Sequence, residues 1–593
     1  MKKIPIKCSS KSIIMSKTVS DKIVEMLVNA GVKRIYAITG DSLNPINDAV
    51  RRDGRLQWVH VRHEEVAAYA ASMEAELTGI GCCMGSSGPG HVHLINGLYD
   101  ANRSGNPVIA IASTVASTQL GTDYFQETNV TKLFDDCSKY CFMANTPTQA
   151  LRALQTGIQT AIVQKGVAVI GLPGDVADAD AEDFFSSEMN YKTDFVLKPT
   201  SGQLEQLASL INGHKKIMLF CGYGSKDAVD EVMALAQKIQ APVGYSFRGK
   251  IFFDKTENEY AVGLNGLLGT KAGFQSMHDA DVVIMLGSDF PYSNFLPEKN
   301  VLIQIDHQPE RIGRRGKIDY GYCGKIKDTV QALLPLLEAK SDDAFLKEMR
   351  ALHEKQEEVY ESYVEAKGSE DKIHPEYVAS LINDLASDDA IFTVDTGMSA
   401  VWAAKYIKGK RNRYLTGSFN HGSMANAMPM AIGSAFAAPE RQSIALCGDG
   451  GISMLLGDLM TISQYKLPVK VIVFNNRTLG MVKLEMEVAG MPAWQTDMDN
   501  PDFAKIAEAM RIKAWTVESP HEVESALKQA FEYNGPVLVN IMTDPNALAM
   551  PPKMEFAQVK GYATTLGKLM INGQTAEVVD MAKSSMKYLK EIM

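Results

Sequence analysis

Hydrophobic positions in this chain gather into short, nearly unbroken runs, separated by longer stretches with helical spacing. The runs form three groups. Residues 34–39, 80–85, 107–112 and 167–172 read as the strands of the first group. Those of the second are 216–221, 242–247, 281–286 and 301–305, and those of the third 390–394, 443–447, 469–474 and 535–541. Runs without polar alternation are what strands buried on both faces require. Between them the spacing turns helical: Val19, Ile23, Met26, Leu27 and Ala30 share one face before Gly31, a helix stop. Buried strands alternating with helices predict parallel α/β sheets, and three groups predict three Rossmann-like domains.

Length agrees, because 593 residues exceed what a single core supports. The first group ends at Leu172-Pro-Gly-Asp175, before an acidic, polar stretch over 177–192. The second fades into a charged helical segment over 340–372, and a tail begins near Pro551. The expected domains are therefore 16–185, 195–345 and 372–550, with a tail over 551–593. Residues 1–14 carry four lysines and lack the apolar stretch of a secretory signal. Residues 1–15 are read as a disordered extension; a start-codon artefact and a short targeting role stay open.

Composition narrows the function classes. A 46% apolar and 22% charged chain is ordinary for a soluble globular protein. Its net charge of −10 disfavours a nucleic-acid binder, which needs basic stripes. No apolar run approaches the roughly 18 residues of a membrane span. The eight cysteines lack a zinc-like double pair, and Cys137-x-x-x-Cys141 comes nearest. Cys82, Cys83, Cys221 and Cys447 sit in apolar runs as buried thiols, which suits a reducing cytoplasm.

The richest local signal lies in the third group. Gly448-Asp449-Gly450-Gly451 follows the run 443–447, a helical stretch covers about 454–465, and the run 469–474 leads into Asn475-Asn476. A right-handed βαβ crossover puts both strand ends on one carboxyl edge, so Asp449 and Asn476 converge there. Two hard oxygen donors suit Mg²⁺, which shares its coordination with phosphates and water. Gly450 and Gly451 open the backbone N–H groups of a helix start to those phosphates. Either half alone is a common turn; the spacing of the two gives them meaning.

A second element, Arg62-His63-Glu64-Glu65-Val66-Ala67-Ala68, opens a helix after the apolar segment 56–61. A pair of glutamates at a helix start ordinarily complements the helix dipole. Together with Ser86-Ser-Gly-Pro-Gly90, His93-Leu-Ile-Asn-Gly97, Tyr124-Phe-Gln-Glu127, Asp395-Thr-Gly397 and Gly417-Ser-Phe-Asn-His-Gly-Ser-Met-Ala425, it resembles the thiamine-diphosphate (ThDP) enzymes of the pyruvate oxidase and acetohydroxyacid synthase family. The resemblance runs from about Met15 to the C-terminus. It implies pyrimidine-binding, central FAD-binding and diphosphate-binding domains, in that order, and a homodimer or homotetramer in which the cofactor bridges subunits. Glu64 would be the acid that protonates the cofactor's pyrimidine, with Phe125 and Gln126 lining the substrate cavity. Gly422, Ser423 and Met424 would hold the cofactor, Met424 as the wedge beneath it, and Gly450 and Gly451 its diphosphate. Asp449, Asn476 and Thr478 would bind Mg²⁺, Thr478 through its carbonyl.

The middle group carries Gly222-Tyr-Gly224 after its first strand, a dinucleotide fingerprint lacking the third glycine. Asn265-Gly266-Leu267-Leu268, Ser288-Asp289-Phe290-Pro291-Tyr292 and Asp306 stand at further strand ends, Asp306 as an acceptor for a ribose hydroxyl. These patches resemble the family's FAD site; a structural domain with nothing bound is the other reading. Leu479-Gly-Met481-Val-Lys-Leu-Glu485 is mixed. Its methionine is of the synthase kind, whereas Glu485 replaces the synthase tryptophan as in a pyruvate oxidase. Glu485 is either a catalytic acid or the solvated face of a helix.

The resemblance implies oxidative decarboxylation of pyruvate to acetate and CO₂, with electrons passing to FAD and then to a quinone. Two alternatives stay open: a phosphate- and oxygen-dependent oxidase making acetyl phosphate and H₂O₂, or an acetolactate synthase-type carboligase. In the tail, Val578, Ala582, Met586, Leu589 and Ile592 recur at steps of three or four, flanked by Lys583, Lys587 and Lys590. Such a helix either packs on its own domain or docks reversibly on the inner face of the cell membrane.

Overall fold

The apolar runs build three sheets of six strands, parallel throughout. The computed structural model describes residues 17–181, 195–369, 372–547, 565 and 568. They form two compact units, divided between Lys192 and Thr193.

The first unit contains β1 (Arg34–Ala37), β2 (Gln57–His60), β3 (Gly81–Gly85), β4 (Val108–Thr114), β5 (Tyr140–Met143) and β6 (Val167–Pro173), in the order 2-1-3-4-6-5. Its leading helix, Val19–Ala30, starts at a reciprocal Thr18–Asp21 capping box and stops where Gly31 takes φ 96°. Val19, Ile23, Met26 and Leu27 are buried as their spacing requires.

The second unit holds two sheets. The central one comprises β7 (Ile217–Cys221), β8 (Val243–Tyr245), β9 (Ala261–Leu264), β10 (Val282–Leu286), β11 (Val301–Asp306) and β12 (Tyr320–Cys323). Read from β9, its order is 3-2-1-4-5-6, the doubly wound arrangement whose ligand crevice lies where the order reverses. The last sheet comprises β13 (Ile391–Val394), β14 (Tyr414–Gly417), β15 (Ser443–Gly448), β16 (Lys470–Asn475), β17 (Lys513–Val517) and β18 (Val537–Met542). Its order, 2-1-3-4-6-5, repeats that of the first unit.

Several expectations change in detail. The run 242–247 is a three-residue strand, after which Ser246 caps a helix, Phe247–Phe253, by accepting the N–H of Gly249. The stretch 454–465 is not one helix. Helix Asp449–Met454 starts at the aspartate itself, a 3₁₀ turn at Leu456–Asp458 breaks it, and Leu459–Gln464 resumes. The charged segment is one helix, Ala344–Glu365. The extension over 1–15, most of the acidic stretch and the tail helix lie outside the described residues.

Helix Phe247–Phe253 joins the two sheets of the second unit. Phe247 packs on Phe419 with ring centroids 4.2 Å apart, and Tyr223 Oη lies 2.9 Å from Tyr414 Oη. Beneath it, buried Lys250 pairs with Asp254, which Lys408 approaches at 3.5 Å while meeting Glu357 at 2.8 Å. Buried charges persist only in such mutual compensation. Among the described residues no helix is long and apolar enough to cross a membrane.

Candidate functional site

In the first unit, the sequence starts a helix at Glu64 because His63, in extended conformation, caps it: Nδ1 of His63 accepts the N–H of Glu65 at 3.2 Å. Glu64 is only 5% exposed. Its Oε2 lies 3.0 Å from Nδ1 of His93, whose ring stacks on His63 with centroids 4.6 Å apart. Burial, reinforced by His93, holds the His63 imidazole below its usual pKa, so it stays neutral at pH 7. In front of the carboxylate lies the Ser86–Gly90 loop. A Cβ on Gly90 would come within 2.5 Å of Ser86 Oγ and 3.4 Å of Glu64 Oε1, so only glycine leaves that face open. Gln126, at φ 64°, accepts from Ser87 Oγ at 3.1 Å, while Phe125 is 78% exposed. His93 is the functional neighbour that sequence spacing did not single out, since it reaches Glu64 from 29 residues away.

In the second unit, β13, β14, β15 and β16 all deliver loops to the carboxyl edge of the last sheet. Asp395, fully buried at the end of β13, accepts the N–H of Ala427 at 2.9 Å and of Gly448 at 3.2 Å, tying two loops together. Burial pushes its carboxyl up to about 7 against those donors. A Cβ on Gly451 would fall 2.1 Å from Asp395 Oδ2, and one on Gly450 would meet Met424 Cε at 2.9 Å. Gly451 is thus sterically required, because Asp395 is buried and pinned by its two backbone donors, whereas at Gly450 the methionine end would have to give way. Ser423 N–H donates to Ser418 Oγ at 3.0 Å and Asn426 Nδ2 to the Ser423 carbonyl at 2.8 Å. These bonds fix the Gly422-Ser423-Met424 turn, in which Gly422 takes φ 84°.

Asp449 begins its helix from a buried position. Its Oδ2 accepts from Asn500 Nδ2 at 2.7 Å and its Oδ1 from the N–H of Gly450 at 3.0 Å. Burial raises its carboxyl and the Asn500 hydrogen bond works against that rise. The register Gly448↔Phe474 brings Asn475 and Asn476 beside it. Asn476 Oδ1 accepts the N–H of Thr478 at 3.1 Å, closing the turn that carries two of the three expected metal ligands beside Asp449. Among the described residues no three or more His, Cys, Asp or Glu side chains cluster as a metal site. The donors here are one carboxylate and neutral oxygens, a set that suits a hard ion completed by phosphate and water. Thr396 adds a buried hydroxyl with no hydrogen-bond partner among the described residues. A diphosphate with its metal fits this edge.

Met481 is half-buried against the core beneath, and Glu485 is exposed one turn along helix Gly480–Val488, on the same face. The buried side of that helix belongs to Lys483, Leu484 and Glu487.

In the central sheet the order reverses between β7 and β10. There a Cβ on Gly222 would lie 2.3 Å from the Gly287 carbonyl, and one on Gly224 would lie 2.9 Å from Gly287 Cα. The crevice floor is therefore bare backbone. Asp306, buried at the end of β11, accepts the N–H of Gln308 at 2.9 Å, and burial raises its carboxyl. Gly266 takes φ 106° facing Phe290 and Tyr292, and Ser288 is buried beside Gly222. Other members of the expected patches are committed to the protein. Asp289 pairs with Arg314 and Arg315, Phe290 packs edge-on against Phe220, and Asn265 Nδ2 meets Met277 Sδ at 2.9 Å. Leu268 packs on the core, whereas Leu267, Pro291 and Tyr292 are exposed.

Comparison with known proteins agrees with this layout. The description "Thiamine pyrophosphate enzyme, N-terminal TPP binding domain" matches residues 17–133, the central domain of the same enzymes 204–333, and the C-terminal TPP binding domain 395–541. YdaP of Bacillus subtilis (strain 168), provisionally named as a thiamine pyrophosphate-containing protein, is 35% identical over 96% of this chain and 99% of its own. The pyruvate oxidase of Lactiplantibacillus plantarum is 30% identical over 87% of each chain. An acetolactate synthase large subunit of Methanocaldococcus jannaschii, also provisionally named, is 32% identical over 90% of this chain and 93% of its own.

Proposed function

We propose that this chain, which belongs to the thiamine pyrophosphate enzyme family that includes pyruvate oxidase and acetolactate synthase, oxidatively decarboxylates pyruvate to acetate and CO₂. ThDP, Mg²⁺ and FAD would be its cofactors, a quinone its final acceptor, and a homodimer or homotetramer its active form. The observation that carries the oxidative reading is the central crevice: a 3-2-1-4-5-6 sheet, bare backbone at the switch point and a buried aspartate at the end of β11.

When bound, the cofactors supply what no side chain offers: a nucleophilic carbon with an electron sink for loss of CO₂, and a two-electron acceptor. The chain's own share is holding and orienting. Glu64 would keep a proton at the pyrimidine ring nitrogen, with His93 fixing its Oε2. Asp449, Asn476 and the Thr478 carbonyl would hold Mg²⁺. The Gly451 N–H and the Thr396 hydroxyl would face the diphosphate, with Gly450 giving the backbone its close approach, while Gly422, Ser423 and Met424 support the ring system. Phe125, Gln126, Met481 and Glu485 would line the substrate position. Asp306 would accept a ribose hydroxyl of FAD, with the backbone of 265–268 and 288–292 along its length. In domain terms, 16–185 would serve the pyrimidine, 195–345 the flavin and 372–550 the diphosphate.

Mixing the purified enzyme anaerobically with pyruvate, ThDP and Mg²⁺ should bleach its flavin absorbance within the turnover time and yield acetate. An unbleached flavin with accumulating acetolactate would overturn the oxidative reading in favour of carboligation. The acceptor has its own test. Deleting 571–593 should spare pyruvate-driven ferricyanide reduction yet depress quinone reduction with liposomes present. Equal quinone turnover by both forms would remove the tail from that role and favour oxygen as the acceptor.

A further inference from the structure

Asp449 stands at one end of a line of side-chain hydrogen bonds that crosses the carboxyl edge of the last sheet. Asn500 Nδ2 donates to Asp449 Oδ2 at 2.7 Å and to Asn475 Oδ1 at 3.1 Å. Asn475 Nδ2 donates to Asn540 Oδ1 at 3.0 Å, and Asn540 Nδ2 to Thr516 Oγ1 at 3.2 Å. Thr516 Oγ1 donates to Asp502 Oδ1 at 2.8 Å. The line thus spans β16, β18 and β17, with Asn475 and Asn540 each 2% exposed.

Both ends are carboxylates, which when ionised only accept. A hydrogen-bonded line between two acceptors needs one member that donates in both directions. A primary amide, with two hydrogens on one nitrogen, is such a member. Asn500 occupies that point, and each later donor faces away from it toward Asp502. Asp502 is in turn fixed, since its carboxylate accepts the N–H groups of Ala504 and Lys505 at the start of helix Phe503–Ala509. Asn500 reaches Asp449 because its loop is hooked onto the expected metal turn. Leu479 N–H donates to the Thr496 carbonyl at 2.8 Å, and Met498 N–H to the Arg477 carbonyl at 2.9 Å.

We propose that Asn500 is a positioning residue for the metal: it fixes the Asp449 carboxylate in its ligating orientation and draws its own orientation from the Asn475–Asn540–Thr516–Asp502 line. The inference rests on the reading of Asp449 as a metal ligand. Partners that orient a ligand in this way are typically worth roughly 10–100-fold in metal affinity.

Binding of Mn²⁺ to the full-length protein with ThDP, followed by the electron paramagnetic resonance of the free ion, tests this without any turnover. Asn500→Ala should weaken Mn²⁺ roughly 10–100-fold with little change in thermal midpoint, because Asn500 is a half-buried loop residue. Asn540→Ala, which cuts the line two members away, should weaken it in the same direction by less. Asp449→Ala should lose binding altogether. Wild-type affinity in Asn500→Ala beside lost binding in Asp449→Ala would overturn the inference and leave the metal reading standing. Unchanged binding in Asp449→Ala would overturn both. A weakening in Asn500→Ala that vanishes well below its unfolding temperature would reduce Asn500 to a loop staple and also overturn the proposal.

Discussion

Replacing Glu64 by Gln should lower pyruvate turnover by roughly 10²–10⁴-fold, the scale on which a positioned proton donor contributes. The fold should survive, because the amide keeps the size and helix-start position of the glutamate and His93 Nδ1 still has a partner 3.0 Å away. Only the proton is lost. The surroundings make that proton specific to Glu64. His63, stacked on His93, is held neutral by burial, so the pair brings at most one cation to the carboxylate. Glu65 is occupied by Asn96 Nδ2 at 2.8 Å and is no substitute. The decisive measurement is exchange of the thiazolium C2 hydrogen into deuterated water, followed by NMR, beside the steady-state rate. Exchange at the wild-type rate in Glu64→Gln would remove Glu64 from cofactor activation, whatever happens to turnover.

The strands legible in the sequence and those missed differ in one physical respect. Each group of apolar runs marked four strands, and these are the four inner strands of each sheet. The remaining two of each sheet are its edges: β2 and β5, β9 and β12, β14 and β17. Inner strands of a parallel sheet are covered on both faces and read as unbroken apolar runs. Edge strands have one neighbour, and most are partly exposed: Gln57-Trp-Val-His60, Tyr320-Gly-Tyr-Cys323 and Lys513-Ala-Trp-Thr-Val517 carry polar or small residues. The site divides along a similar line. Asp449 and Asn476 were legible because two strands consecutive in the chain are also neighbours in the sheet and deliver them to one edge. His93 and Thr396 stood only inside longer motifs, with no role of their own, and Asn500 was not legible at all. The first two depend on where a loop folds back, and the third on a loop return of more than twenty residues that no periodicity encodes. In the central crevice the strand-end patches were legible as positions but not as contacts. The commitment of Asp289 to two arginines and of Phe290 to the core needs the packed structure.

Asp449→Ala should abolish metal-dependent ThDP binding while leaving the flavin in place. Of the expected ligands only Asp449 carries charge; Asn476 and the Thr478 carbonyl offer neutral oxygens. Mg²⁺ gives up its water reluctantly, so a site with one carboxylate depends on it heavily. The loss should exceed the roughly 10–100-fold typical of removing an outer hydrogen-bond partner. The variant also leaves Asn500 Nδ2 with only its longer hydrogen bond, to Asn475 Oδ1. The flavin should be insensitive, because the crevice proposed for it lies at the ends of β7, β10 and β11 of the central sheet, not on the edge that carries Asp449. Asp306→Ala supplies the reciprocal arm: it should weaken flavin retention and spare ThDP affinity. Titrating ThDP with Mg²⁺ by isothermal calorimetry, alongside the flavin-to-protein absorbance ratio, reads both arms at once. Unaltered ThDP affinity in Asp449→Ala would remove the metal assignment. Parallel loss of both cofactors in either variant would mean that the two sites share one fold-dependent determinant, and the separate assignments to the central and last sheets would fail together.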